Sequence, residues 1–250
     1  FRLKTLEKEC ADLIESSGAH LMTENTGVHY LLSSGMHTDE FYQLARVFEC
    51  GPIRERLADL MLTKIKLAGI KPKEIDVLVG PVFGALPCIY TLQHFYDLSH
   101  TRAIFVERNT EIVKRFATIK EECLLQKLWR EPQAKEIAAQ MGLDLEDIRS
   151  LKDTGSYWEL GRDFSLNPDE RVLIIDDAIT TYRTVKGTIR ALHRACKSKE
   201  WEACIVGFGA LIDRRTSRDQ LPDDVIMPTL RYFYGLRRLT KLFEANNCPK

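Results

Sequence analysis

No stretch of this sequence approaches about eighteen consecutive apolar residues, so nothing in it reads as a helix that crosses a membrane. The opening residues lack the basic-then-apolar pattern of a secretory leader. The chain begins on Phe1 rather than Met, so a trimmed start is expected. An excess charge of either sign is missing too: Lys+Arg and Asp+Glu both number 36. No global field therefore draws the chain to nucleic acid or to an anionic membrane, and small-molecule chemistry suits the balance better. Cysteines are seven (10, 50, 88, 123, 196, 204 and 248), an odd number without a CxxC pair. That argues against a zinc site or a disulfide framework and reads as small buried apolar residues in a reducing cytoplasm. What is present is enough apolar material, 44% of 250 residues, for one large domain or one domain with an insertion.

The most informative segment is Val172-Leu173-Ile174-Ile175-Asp176-Asp177-Ala178-Ile179-Thr180-Thr181-Tyr182-Arg183-Thr184. Four branched apolar residues in a row read as a strand buried on both faces of a parallel sheet. Two acids at its carboxyl end are costly there unless they meet a sugar, a metal or another charge. Hydroxyls follow, and a helical pattern (Val185, Ile189, Leu192) begins behind them. A helix amino terminus with hydroxyls and free amides cradles phosphate, while carboxylates bind a ribose diol. Two blander readings exist: an aspartate that caps the following helix, and a paired-acid pocket of the response-regulator kind. The Ile179-Thr180-Thr181 continuation favours the phosphoribosyl loop.

Elsewhere the spacing predicts a surface helix over 3–16 and hairpin strands over 28–48 around Ser33-Ser34-Gly35. A helix opens at Gly51-Pro52 and runs to about 67. Strands at 75–80, 102–107, 171–176 and 203–212 alternate with helices at 84–97 and 185–197. That alternation predicts an α/β fold with a doubly wound, mostly parallel sheet, and ligands beyond the carboxyl ends of its strands. His37 reads as a surface histidine of the hairpin, and Tyr232, Phe233 and Tyr234 as core or interface aromatics.

The signature segment resembles the type I phosphoribosyltransferases. Tyr30-Leu31-Leu32-Ser33-Ser34-Gly35-Met36-His37-Thr38-Asp39 is similar to the early hairpin of the orotate branch, and Val77-Leu78-Val79-Gly80-Pro81-Val82-Phe83-Gly84-Ala85-Leu86-Pro87 to its pyrophosphate loop. Ala103-Ile104-Phe105-Val106-Glu107-Arg108 with Val113-Lys114-Arg115-Phe116 resembles the strand and mobile loop before the signature. Ala210-Leu211-Ile212-Asp213-Arg214 is similar to a later strand, and Asn247-Cys248-Pro249 to the tail of one bacterial subgroup. These segments occur in family order over about four fifths of the chain.

The resemblance implies one phosphoribosyltransferase-like domain over 1–250, with a small hood from both chain ends. The activity it implies joins a pyrimidine base, orotate first, to 5-phosphoribosyl 1-pyrophosphate and releases pyrophosphate. Magnesium is the implied cofactor, held by the substrate and not directly by the protein. A homodimer is implied as well, with Tyr42, Leu44 and Val47 offered as contact surface. Asp177, Lys114 and Arg115 would be catalytic. Gly80, Pro81, Val82, Phe83 and Gly84 would bind the pyrophosphate side of the substrate. Asp176, Asp177, Ala178, Ile179, Thr180, Thr181, Tyr182, Arg183 and Thr184 would bind its ribose and 5′-phosphate. Thr180 and Arg214 would meet the base.

Two features depart from the family. Tyr182-Arg183 stands where small residues, often Gly-Gly, are usual, and glycine is what permits positive φ and close approach to phosphate. Arg183 either replaces the lost contacts with a charged one or the pair closes the cradle. Residues 118–169 form a charged, mostly helical insertion. Within it, 136–148 resembles a helix-turn-helix with Gly142 at the turn and Leu143 and Ile148 buried. Asp144-Leu145-Glu146-Asp147 would set three carboxylates against DNA phosphates, so a structural or interaction hairpin is preferred. The rival function is a non-catalytic regulator or effector of the same fold that senses the pyrophosphate sugar or a nucleotide.

Overall fold

The structure, a computed structural model, describes residues 2–23, 29–31, 37–125, 131–161, 163–180, 182–197, 203–214 and 230–238. Helix α1 (Arg2–Ser16) leads into short strands β1 (His20–Met22), β2 (Tyr30–Leu31), β3 (His37–Thr38) and β4 (Glu40–Tyr42). After α2 (Ala45–Glu49), α3 (Gly51–Leu67) starts with Pro52 in its first turn, where a missing N–H costs nothing. Then come β5 (Val77–Pro81), α4 (Leu86–Gln93) and β6 (Arg102–Arg108). A helical stretch follows, α5 (Thr110–Leu125), α6 (Glu131–Met141) and α7 (Leu145–Thr154), closed by β7 (Trp158–Leu160). The chain re-enters the sheet with β8 (Arg171–Ile179), α8 (Arg183–Lys197), β9 (Cys204–Asp213) and β10 (Arg231–Arg237).

Six strands form one sheet in the order β10-β9-β8-β5-β6-β7. The first five are parallel, and β7 is an antiparallel edge on β6, with Arg108 opposite Trp158. The apolar runs are continuous because each strand serves two cores. Leu78, Leu173 and Ile175 pack on one side with α1, α3 and α4. Val77, Val79, Val172 and Ile174 pack on the other with the Val185-Ile189-Leu192 stripe of α8. β8 lies inside the sheet, the position from which a loop reaches a switch in strand order: chain progress runs from β5 outward to β6, then back across to β8.

Several boundaries differ from expectation. β8 extends to Ile179, so both acids sit on the strand, and α8 begins at Arg183. Residues 45–49 are helical, and β4 pairs with β1 (His20 opposite Tyr42) while β2 pairs with β3. The hairpin turn 32–36 and the tail 239–250 lie outside the described residues. The proposed dimer contacts Tyr42, Leu44 and Val47 are buried inside the first core, Val47 completely, so they offer no outer surface.

Lys114 and Arg115 stand on α5, not on a loop. The helix forms because Ile112, Val113, Phe116 and Ile119 share a face that packs on a third small core with Ala134, Ile137, Ile148 and Leu151. Gly142 makes the turn between α6 and α7 at φ +68°, and Ile148 is buried while Leu143 is half-buried. Asp144 caps α7 by accepting the Asp147 N–H at 2.8 Å. The acidic first turn of α7 meets the protein's own cations on α8: Asp147 pairs with Arg194, and Glu146 lies 3.8 Å from Arg190.

Candidate functional site

The acids and glycines meet at the carboxyl end of the sheet. Asp176, in register with Ala210 of β9, is buried, and its Oδ1 accepts the Asp177 N–H at 2.9 Å. Burial pushes its carboxyl well above the usual range, and the neighbouring Asp177 charge and hydrogen bond add to the shift. Asp177 points to the opposite face and stays half-buried, with Oδ1 accepting the Ala178 N–H at 2.8 Å. Its other oxygen occupies the space beside Gly84 where a side-chain methyl would stand. The loop after β5 and the acids of β8 are thereby one site. Gly80 permits this closeness: a Cβ there would come within 2.6 Å of the Ile175 carbonyl oxygen and 2.7 Å of Ala85 Cβ.

The loop itself is a turn over 82–85 leading into α4, with a cis peptide between Val82 and Phe83. Val82 donates its N–H to the Val106 carbonyl at 3.0 Å, which ties the loop to β6. Pro81 is buried, Val82 and Gly84 are half-buried, and Phe83 stands out at 85% exposure.

On the other side of the acids, Ala178 is half-buried, Ile179 sits in the core and Thr180 is exposed. Thr181 lies outside the described residues. Tyr182 adopts φ +58°, the left-handed region expected only of a small residue here, at a cost of roughly 1 kcal/mol. Its ring turns inward and is buried, edge-on to Phe208 with centroids 5.9 Å apart. The Tyr182 carbonyl accepts the Lys186 N–H at 2.8 Å, so α8 opens directly behind the turn. Arg183 is exposed and Thr184 half-buried at that helix start, where leading amides have no acceptor within the helix and the dipole is positive. A small cavity of about 20 Å³ is lined by Asp176, Ile179, Thr180, Tyr182, Arg183 and Thr184. Of the two alternatives for Tyr182-Arg183, the backbone at Tyr182 takes the positive φ associated with glycine and its ring turns inward, with Arg183 exposed.

Arg214 follows β9, with its backbone N–H bonded to the Ile179 carbonyl at 2.7 Å. The guanidinium is buried under the hood, donating to the Glu40 carbonyl at 2.9 Å and lying 5.0 Å from the Tyr42 ring centre. Burial lowers its pKa from the ordinary arginine value. Sequence reasoning missed this docking of hood on sheet and the nearby ionic cluster, with Asp213 3.8 Å from Arg237 and Glu40 3.9 Å from Arg238. Lys114 and Arg115 are exposed on α5, and Arg115 donates to the Gln140 carbonyl at 2.7 Å, which ties it to α6. His37 is half-buried on β3. A larger cavity of about 700 Å³, lined by Lys66, Ile70, Lys71, Lys73, Asp97 and His100, lies at the other end of the sheet, by the amino ends of β5 and β6. Its lining, which also includes Gly69, Pro72 and Ser99, shares no residue with the Asp176-Asp177 pair, the 80–84 turn or the 180–184 segment.

Among the described residues no group of three or more His, Cys, Asp or Glu side chains is arranged to hold a metal. No helix among them is long and apolar enough to cross a membrane. Of the cysteines, Cys10, Cys88 and Cys196 are buried, and burial pushes Cys10 and Cys88 up to about 12, whereas Cys50 and Cys204 are exposed.

This architecture is the type I phosphoribosyltransferase fold. An orotate phosphoribosyltransferase from Aeropyrum pernix superposes with a TM-score of 0.54 at 16% identity, over 91% of this chain and 92% of that one. An adenine phosphoribosyltransferase superposes with a TM-score of 0.52 at 15% identity, over 91% and 99% of the two chains. In sequence the chain is similar to orotate phosphoribosyltransferases, among them that of Caldicellulosiruptor saccharolyticus. The two are 26% identical over 225 residues, 88% of this chain and 81% of that protein. No family model matches the chain.

Proposed function

We propose that the protein is a phosphoribosyltransferase that joins orotate, or a closely related pyrimidine base, to 5-phosphoribosyl 1-pyrophosphate and releases pyrophosphate. The observation that carries the reading is the contact of Asp177 with the Gly84 position, beside a hydroxyl-rich helix start. Substrate laid across that junction would place its diphosphate on the 80–84 loop and its 5′-phosphate at Thr180, Arg183 and Thr184. Its ribose hydroxyls would donate to Asp177. Asp176, sealed and biased to its neutral form, supports Asp177 through the backbone rather than by a second charge.

In the reaction the C1–O bond to pyrophosphate breaks while the base nitrogen bonds to C1 and gives up its proton to solvent or to the departing pyrophosphate. Positive charge grows on the sugar, and the Asp177 carboxylate favours it electrostatically. Asp177 and the open 80–84 turn would face a magnesium ion carried in by the substrate, which would supply positive charge against the leaving group. A half-exposed carboxylate facing an open glycine loop fits a metal carried in by substrate. Arg214 would meet the base in this proposal, from its place after β9 beside the Ile179 carbonyl.

The second reading, a sensor that binds the sugar without turnover, is favoured by the placement of Lys114 and Arg115 on a helix anchored to α6. Pyrophosphate release measured against a panel of nucleobases, with binding in parallel, separates the two. Turnover restricted to orotate-like bases supports the enzyme. Binding with no turnover for any base selects the sensor.

A further inference from the structure

We propose that Tyr182 is a positioning residue: its buried ring holds the phosphate cradle in a left-handed turn, a conformation that ordinarily favours glycine. The inference rests on the phosphoribosyl-binding reading above. The chain must pass from β8 to α8 between two fixed points, Ile179 at 2% exposure and Val185 at 1%. Tyr182 makes the turn at φ +58°. A side chain at such an angle persists only where its surroundings over-determine it.

Here the surroundings are a row of rings. Tyr182 meets Phe208 edge-on at 76°, an arrangement aromatic pairs prefer. Phe208 is fully buried on β9 and lies 4.9 Å from Tyr232 on β10, which lies 5.7 Å from Tyr234. The turn is therefore pinned to two strands of the sheet. The same inward swing leaves Thr180 and Arg183 exposed on the outer side of the turn. A glycine would reach this φ freely, and would leave it freely as well. With tyrosine the conformation is held by the core before ligand arrives, which is how pre-organisation raises affinity.

The test uses the full chain, titrated with 5-phosphoribosyl 1-pyrophosphate and magnesium and assayed at saturating base. Tyr182→Gly should raise the Kd and KM for the pyrophosphate sugar by about tenfold or more, with kcat changed much less. Tyr182→Phe, which keeps the ring, should stay within about twofold of wild type. Ile189→Ala, in the same core but away from the turn, should lower the melting temperature and leave KM unchanged. Tyr182→Gly binding as tightly as wild type, Tyr182→Phe failing like glycine, or Ile189→Ala raising KM equally would each overturn the inference while the phosphoribosyl reading stands. A wild-type protein that does not bind the pyrophosphate sugar overturns both.

Discussion

Adjacent carboxyls on β8 end up in different environments because a strand sends successive side chains to opposite faces. Asp176 follows Ile174 into the core beneath α8, whereas Asp177 follows Ile175 toward the Gly84 loop. The buried member opposes folding once ionised. Its folded-state pKa lies above the unfolded value, so the folded protein holds the extra proton and stability falls as pH rises past the ordinary aspartate range. Asp176→Asn keeps the oxygen that accepts the Asp177 N–H and removes the charge. It should raise the melting temperature at neutral pH by a few degrees, roughly 1–2 kcal/mol, and flatten the fall in stability above about pH 4. Thermal unfolding across pH checks this, and a lower melting temperature for the variant at pH 7 would show that Asp176 is held ionised by a favourable partner.

At the scale of elements, the amino end of β8 is fastened by a fork. Arg171 donates Nε to Asp76 Oδ2 at 2.8 Å and Nη2 to Oδ1 at 3.0 Å, while its backbone N–H also reaches Oδ2. The Arg171 side-chain hydrogen bonds hold Asp76 down at about 2. A depressed carboxyl contributes stability above the unfolded pKa and loses it as pH falls, here from about 4 through about 2. Because both side chains are about one third exposed, the contribution is about 1 kcal/mol after screening. Asp76→Asn should cost that much at pH 7 and nothing near pH 2, as read by denaturant melts; an equal cost at both ends would mean the charge is irrelevant.

Elements with strong periodicity were legible from residues alone: the two-faced apolar runs of β5 and β8, and the Val185-Ile189-Leu192 stripe of α8. α5 also carries a helical stripe, but its meaning depends on Ala134, Ile137 and Ile148, residues that the pattern around 113–116 does not reveal. The hood was harder still. β1 and β4 have three residues each and pair across a separation of some twenty positions, too short for any periodic signal. In the site, the acids, glycines and hydroxyls were readable because their chemistry is specific. The left-handed Tyr182 and the burial of Arg214 were not, since both are decided by tertiary neighbours on β9, β10 and β4.

Across the whole molecule, the same sheet gives one end to the acids, glycine loop and helix start, and the other to strand-fastening pairs such as Arg171–Asp76. The two-subunit assembly that the family resemblance implies would need a contact other than the buried Tyr42, Leu44 and Val47. Light scattering at micromolar concentration should give twice the chain mass; a monomer would restrict the site to residues of a single chain.

The central claim is that phosphoribosyl transfer occurs where Asp177 faces the Gly84 loop. It is tested most directly by nucleotide formation from orotate and 5-phosphoribosyl 1-pyrophosphate with magnesium, in wild type and in Asp177→Asn. The account predicts turnover by wild type and a loss of at least about a hundredfold in the variant, with melting temperatures within a few degrees of each other. An Asp177→Asn protein that turns over as fast as wild type, or a wild type that neither binds nor consumes the pyrophosphate sugar, would contradict it.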